Sequence, residues 1–394
     1  MNRRNFLKKT GVITAGSLLL PSFLRANSIE GLLRSSTNRL VVIQLSGGND
    51  GLNTVIPYGI DEYYQNRTRI GLNKDSLLKL DDTFGFNPAL SGINKLFQNG
   101  HVSVINSVGY PNPNRSHFRS MDIWHTASNS NEYLSHGWLG KYLDNNCQNP
   151  YEAIELNGNL SLAMQGKEKS GIAFTNPEAF YKSINAPFYN ELKTIETQNS
   201  ELDFMYKVFN DTKSSAKYIF DQHNLVNNTV DYGKGAFGQQ LKEIATLIKS
   251  DIQTPVFYTS LKGFDTHVNQ LNSHDRLLKT LDSGVSTFVE DLEKDNLMEN
   301  TTILVFSEFG RRLKENASRG TDHGAANVMY VIDSDLSKNS QTLNQLDLVN
   351  LEKGDPKFKV DFRSVYQDII THTLDADSKQ ILGNSFTNLN LFKG

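Results

Sequence analysis

The sequence predicts an α/β protein built on a mostly parallel central sheet, and three observations carry that expectation. Apolar runs at Arg39–Ser46, Thr254–Ser260 and Thr301–Phe306 have the uninterrupted, β-branched character of strands buried on both faces. A long amphipathic segment from about His274 to Leu297 separates the last two, so the pattern there is strand, helix, strand. Each run then falls into a glycine-containing turn that carries an acid: Asp50, then Asp265 with His267, then Glu308. In an open parallel sheet, ligands bind outside the carboxyl ends of the strands. Acids and histidines gathered at that edge point to a metal site.

In chain order, Asn2-Arg-Arg-Asn-Phe-Leu-Lys-Lys9 precedes a short apolar run, Gly11–Leu20, and then Pro21 and small residues near Ala26. This is the pattern of a twin-arginine export signal over residues 1–26. A run of ten apolar or small residues is too short to span a bilayer, which needs about 20. Removing Arg3, Arg4, Lys8, Lys9 and Arg25 leaves 35 basic against 43 acidic residues, a net charge of −8. Such a balance argues against a nucleic-acid partner. Cys147 is the only cysteine, so no intramolecular disulfide can form, and none follows the leader as a lipid anchor would require. With 38% hydrophobic and 21% charged residues the composition is that of a soluble globular protein.

After a polar linker from Ser28 to Asn38, residues 39–394 read as one domain with a cap or insert at about 150–232. Gly47-Gly-Asn-Asp-Gly51 does not match the dinucleotide-binding spacing and is a sharp turn around Asp50. A helix over about Pro88–Gln98 and a strand at His101–Ser107 complete a βαβ-like unit. Ser116 follows Pro111-Asn-Pro-Asn-Arg115 at the start of a helix, where backbone N–H groups favour an anion. Arg115 and Arg119 would strengthen that preference. His117 is set aside as a base for Ser116, since neighbouring residues on a helix point to different faces. Residues 150–176 read as short strands or a hairpin insert, residues 177–230 as polar, tyrosine-rich cap helices, and Gly235–Ser250 as an amphipathic helix. The tail from Val360 to Ile370 reads as a capped helix.

Carboxylates and imidazoles supplied one or two per loop are the usual ligands of zinc, manganese and magnesium. Asp50, Asp265, His267, Glu308, Asp322 and His323 are the candidates. Asp265, His267 and His323 would hold the tighter metal, with zinc or manganese ahead of magnesium or calcium. Asp50 and Glu308 would hold a second, weaker cation beside Ser116.

Taken together, the twin-arginine leader, Leu45–Thr54, Arg115-Ser-His-Phe118, Gly263-Phe-Asp-Thr-His267, Ser307-Glu-Phe-Gly-Arg311, Gly320-Thr-Asp-His-Gly324 and Asp361–Tyr366 resemble the bacterial family catalogued as domain of unknown function 1501. That family is grouped with the alkaline phosphatase and sulfatase superfamily. The resemblance implies a three-layer α/β/α sandwich, alkaline phosphatase-like, with a metal-centred esterase site. It also implies that Asp50 is the first metal aspartate and that Ser116 is the nucleophile. Asp265 and His267 resemble the superfamily's aspartate and histidine ligands, and His323 its late histidine. Ser307-Glu-Phe-Gly310 departs from the usual Ser-Asp-His-Gly, and Phe309 deletes an imidazole. The expected activity is hydrolysis of a small-molecule or glycan-borne phosphate or sulfate ester, in the periplasm or outside the cell, with no membrane anchor after signal cleavage. Arg311 or Arg119 would neutralise charge on the ester oxygens. Phosphate stands ahead of sulfate because Cys147 lies outside any sulfatase motif. The alternative is a non-catalytic cell-envelope binding or assembly protein that keeps the fold.

Overall fold

Strand β1, Arg39–Ser46, is the axis of the sheet, and its alternation shows why the run is apolar throughout. Val41, Ile43 and Leu45 enter one hydrophobic core, and Leu40 and Val42 enter the other, on the opposite face. The computed structural model describes residues 38–186, 200–343 and 346–393. These belong to one compact unit, Asn38–Gly394. The leader at residues 1–26, and all but the last residue of the linker after it, lie outside the described residues.

The other strands of this sheet are β2 (Val102–Gly109), β3 (Ala153–Glu155), β4 (Ile172–Ala173), β5 (Val256–Lys262), β6 (Thr301–Phe306), β7 (Asn327–Ile332), β8 (Thr342–Leu343) and β9 (Val360–Asp361). Their order is β8-β2-β7-β6-β1-β5-β3-β4, with β9 also paired to β2. Only β7 runs antiparallel to its neighbours; β1 is parallel to both β5 and β6. The expected βαβ-like unit is corrected here, because β6 and β7 stand between β1 and β2.

Helices cover both faces, so the architecture is a three-layer α/β/α sandwich. One face carries α1 (Ser91–Gln98), and the other α2 (His117–Thr126) and α3 (Trp138–Asn146). The helix α4 (Ser200–His223), then α5 (Ala236–Lys249) and α6 (Gln270–Glu293), pack on the α1 face, and α7 (Phe362–His372) on the α2 face. The faces that α5 and α6 bury, Phe237, Leu241 and Ile244 against Leu281, Val285 and Phe288, follow helical spacing. Each such side chain contributes about 1.5–3 kcal/mol on burial. On the other face Trp124 of α2 is stacked between Phe362, with ring centroids 4.3 Å apart, and Phe306 at 5.4 Å. That stack sets α2 against the carboxyl end of β6.

Residues 150–176 contribute β3 and β4, which pair in parallel, Ile154 opposite Ile172, and extend the main sheet, so they are not a hairpin. In the 177–230 segment, Tyr218 of α4 meets Tyr151 at 4.4 Å, and its hydroxyl accepts from Gln253 N at 3.3 Å. Tyr151 and Gln253 precede β3 and β5, so this part of the expected cap lies at the amino-terminal edge of the sheet. Residues 187–199 lie outside the described residues. Among the described residues no helix is long and apolar enough to cross a membrane.

Candidate metal centre

The carboxyl ends of β1, β5 and β6 meet through backbone contacts that leave no room for side chains. Gly47 and Gly48 have φ of +122° and +77°. A Cβ at Gly47 would collide with the backbone of Phe264 and Asp265, and one at Gly48 with the Phe309 ring. Ser307 Oγ donates to Leu45 O at 2.6 Å and accepts from Asn49 N at 2.9 Å, which ties the end of β6 to the β1 turn. Arg311 is fully buried and closes the assembly. Its guanidinium donates to Gly47 O at 2.5 Å, Gly48 O at 2.6 Å, Thr321 O at 2.8 Å, Phe264 O at 3.0 Å and Asp265 Oδ1 at 2.8 Å. A short hairpin, Arg311–Glu315 against Thr321–His323, then returns His323 to a position opposite Arg311.

These turns bring His117, Asp265 and His323 together, with one donor atom from each lying within 4.8 Å of the others. Asp265 Oδ1 is 3.1 Å from His323 Nε2 and 3.0 Å from His267 Nε2, and Asp265 Oδ2 is 3.5 Å from His117 Nε2. His267 Nε2 and His323 Nε2 stand 2.9 Å apart. Asp265 remains 46% exposed, so the cluster is open to solvent.

The outer nitrogens decide the tautomers. His323 Nδ1 is 2.8 Å from Arg115 O, and a carbonyl only accepts, so Nδ1 carries the proton. His117 Nδ1 is 3.0 Å from Glu308 Oε1 and donates to that buried carboxylate in the same way. In their neutral form both rings therefore turn an Nε2 lone pair toward the Asp265 carboxylate. Three electron-rich groups converging at such distances repel unless a cation or a proton stands between them. Second-nitrogen bonds to a carboxylate or a backbone carbonyl are the arrangement found in metal-ligating histidines. The donor set, two imidazoles and one carboxylate, fits zinc or manganese.

The local charges agree with this. Burial pushes the Asp265 carboxyl up, but the Arg311 guanidinium overrides it and holds the group at about 2, ionised at neutral pH. Burial lowers the His323 imidazole below its ordinary value and favours the neutral ligand form. His117 runs the other way: the hydrogen bond to Glu308 raises its imidazole, so a proton competes with a cation for its Nε2.

Of the residues expected from sequence, Asp265 and His323 are in the cluster, with His267 on its flank. Asp322 is exposed, 3.5 Å from His267 Nδ1 and bonded to Asn316 Nδ2 at 3.2 Å. Glu308 is fully buried; besides His117 it accepts from Gly47 N at 2.9 Å, so it backs a ligand and faces no open cation site. Asp50 is corrected. Its Oδ2 pairs with Arg67 Nη1 at 2.6 Å, both side chains fully buried, and accepts from Gln270 Nε2 at 2.5 Å. The guanidinium of Arg67 is the cation that neutralises it, and the second metal site expected from Asp50 and Glu308 is not assembled.

Arg311 is sealed in the backbone clamp, so it is not placed to meet a substrate. Arg119 is corrected as well: it donates to Ser130 O at 3.1 Å and to Glu132 O, and lies over the Tyr133 ring at 3.9 Å. The Arg115 side chain pairs with Asp355, while its carbonyl serves His323. Ser116 is the N-cap position of α2; it is exposed, and its side chain makes no cap hydrogen bond. Its two neighbours, Arg115 through its carbonyl and His117 through its ring, are both tied to the cluster. Phe309 packs its buried ring against His117 and His323, with centroids 4.8 and 4.6 Å away, as an apolar wall.

His117 is the candidate ligand that sequence reasoning missed. It is the first residue of α2, where the chain enters from a turn, and Ser120 Oγ donates to the Glu308 carbonyl one turn later. The Arg115-Ser-His-Phe118 stretch, with its histidine at a helix start, was the available signal.

A family model described as "Protein of unknown function (DUF1501)" matches residues 105–332. The Leu45–Thr54 and Asp361–Tyr366 motifs lie outside that span. A search of curated proteins gave no match. Among solved structures, the chain is similar to the PsFucS1 sulfatase from Pseudoalteromonas sp., with TM-score 0.40, 12% identity, and 91% of this chain and 74% of that one covered. It is also similar to the lipoteichoic acid synthase LtaP from Listeria monocytogenes, with TM-score 0.37, 9% identity, and 82% and 74% covered. A third is the C-terminal periplasmic domain of EcEptC from Escherichia coli in complex with Zn, with TM-score 0.34, 9% identity, and 79% and 80% covered.

Proposed function

The chain belongs to the DUF1501 family of proteins of unknown function, and from that premise we propose that it is an exported hydrolase of phosphate or sulfate esters using one divalent metal. The observation that carries this reading is the convergence of the His117 and His323 Nε2 lone pairs on the Asp265 carboxylate, with each second nitrogen already committed. Zinc or manganese suits such a set; magnesium and calcium prefer all-oxygen surroundings. When bound, a divalent cation would polarise the ester oxygens and lower the pKa of a nearby hydroxyl.

The rest is the work of the chain. Ser116 is the proposed nucleophile, held between two residues anchored on the cluster at the amino end of a ten-residue helix whose free N–H groups favour an anion. Arg311 keeps Asp265 ionised, Glu308 and Arg115 O hold the two histidines in the ligand tautomer, and the Phe309 wall limits solvent on one side. Phosphate is placed ahead of sulfate because Cys147, the only cysteine, is buried in the core.

A second reading, a non-catalytic envelope binding protein, draws on Phe309 and on the withdrawal of Arg119 and Arg311 from the site. Metal-loaded protein assayed on 4-nitrophenyl phosphate, bis(4-nitrophenyl) phosphate and 4-nitrophenyl sulfate separates the two. The hydrolase reading expects turnover that Ser116→Ala lowers by about three orders of magnitude or more. Full activity in Ser116→Ala would replace the serine by direct attack of water. No turnover by any form would favour the binding protein. For export, replacing Arg3 and Arg4 by Lys is expected to leave the precursor in the cytoplasm; an unchanged periplasmic yield would remove the twin-arginine assignment.

A further inference from the structure

Arg115 serves the metal cluster twice. Its carbonyl fixes the His323 tautomer, and the chain runs directly on from it to Ser116 and His117. The 111–115 turn has little of its own to hold it in place. Its hydrogen bonds are local, Asn114 N donating to Tyr110 OH at 3.1 Å and Ser116 N to Asn114 Oδ1 at 2.8 Å. Beside it lies a cavity of about 410 Å3, lined on the other side by residues of the 352–358 loop. A turn that borders open space lacks the packing that would stop it relaxing.

Asp355 crosses that gap with a side chain only 2% exposed. Its Oδ2 accepts from Arg115 Nη2, and its Oδ1 lies 3.7 Å from Arg312 Nε. Arg312 follows Arg311, which stands opposite His323 in the hairpin. The contacts therefore close a ring: His323 Nδ1 to Arg115 O, the Arg115 side chain to Asp355, Asp355 to Arg312, and back through the hairpin to His323. The Asp355 end of this ring is rigid. Glu352 N and Asp355 N each donate to the other's carbonyl, at 2.9 and 3.0 Å, around Lys353 and Gly354 at φ +54° and +85°. Positive φ at both central residues is the signature of a tight two-residue hairpin turn. Lys359 N then donates to Ser107 O at 2.8 Å, and β9 joins the sheet beside β2. Burial outweighs both arginines and pushes the Asp355 carboxyl up, so the pairing adds little to stability. What it supplies is position.

We propose that Asp355 is a positioning residue of the metal centre, holding the 111–115 turn to the 311–315 strand so that Arg115 O meets His323 Nδ1. The proposal rests on the metal-centre reading for the ion, but it has a readout of its own. Zn2+ affinity is measured by competition with a chromogenic chelator, and the nitrogen chemical shifts of the His323 ring report its tautomer in metal-free protein. Asp355→Ala is expected to weaken Zn2+ about tenfold, the low end of what contacts behind a ligand cost. It is also expected to let His323 exchange between its two tautomers, with the metal-free Tm little changed. Asp355→Asn keeps an acceptor for Arg115 and is expected to keep most of the affinity, which a purely electrostatic role would not allow. Adding Arg115→Ala to Asp355→Ala is expected to cost nothing further, because the link is already gone. Wild-type affinity in Asp355→Ala, or a tautomer that stays fixed there, overturns the proposal and leaves the metal centre standing. Equal losses in Asp355→Asn and Asp355→Ala, or a loss that tracks a falling Tm, do the same. If wild type binds no Zn2+, the metal reading fails and the tautomer alone decides: freed by Asp355→Ala, the positioning role stands; still fixed, both fall.

Discussion

His117 and His323 place their second ring nitrogens on Glu308 and on the Arg115 carbonyl, and the cluster depends on those outer contacts as much as on the ligands. Glu308→Ala removes the acceptor that fixes the His117 tautomer. Metal affinity is expected to weaken about 10–100-fold, read by competition with a chromogenic chelator, with circular dichroism reporting that the fold is kept. Unchanged affinity would mean that His117 is not a ligand. Asp265, His267 and Glu308 were legible in sequence because each follows an apolar run, and His323 because an Asp-His pair stands between glycines in the polar loop Gly320–Gly324. His117 was not, because the helical-face argument applies inside a helix and fails at its first residue, where the entering turn sets the direction. Asp50 misled for a different reason: its partner, Arg67, sits in a loop with no pattern linking the two.

The elements that carry the site are turns, and glycine has a distinct physical role there. Gly48 is at φ +77° with the Phe309 ring where a Cβ would go, whereas Gly233 is at φ +71° with nothing within 4 Å. Gly233→Ala should therefore cost only the left-handed strain, about 1–2 kcal/mol, and Gly48→Ala at least about 2 kcal/mol more through overpacking. Urea unfolding of both variants measures the difference; equal costs would show that the ring yields and that the turn is not tightly packed. Strands β1 and β6 were readable to within a residue or two from their continuous apolar runs. The position of β2, separated from β1 by two strands, was not, because pairing order is set by packing across the sheet and leaves no periodicity. The same holds for β3 and β4, whose short alternation suits a hairpin as well as a parallel pair.

At the scale of the whole molecule, the buried histidines that take no part in the cluster set a pH dependence of stability. Burial pushes the imidazoles of His125 and His274 from the ordinary 6.5 down to about 4. His125 meets Gln44 Oε1 and Tyr258 OH at 3.1 Å, and His274 meets Asn49 Oδ1 at 2.9 Å. Above pH 6.5 both are neutral in either state. As pH falls, the unfolded chain takes up the protons first, so stability is lost between about 6.5 and 4, by up to about 3 kcal/mol for each ring. Urea unfolding at pH 7 and pH 4.5 should show that drop, and His125→Gln should lessen it; the same drop in the variant would assign it to other groups. The α/β class followed from the apolar runs and the three-layer sandwich from the family resemblance, while the candidate metal centre needed the fold to bring residues 117, 265 and 323 to one edge. The most direct test of that centre is a calorimetric titration of metal-free protein with Zn2+, followed by elemental analysis. Wild type is expected to bind one tight equivalent that His117→Ala and His323→Ala each lose while remaining folded. Undiminished tight binding in both variants would contradict the site.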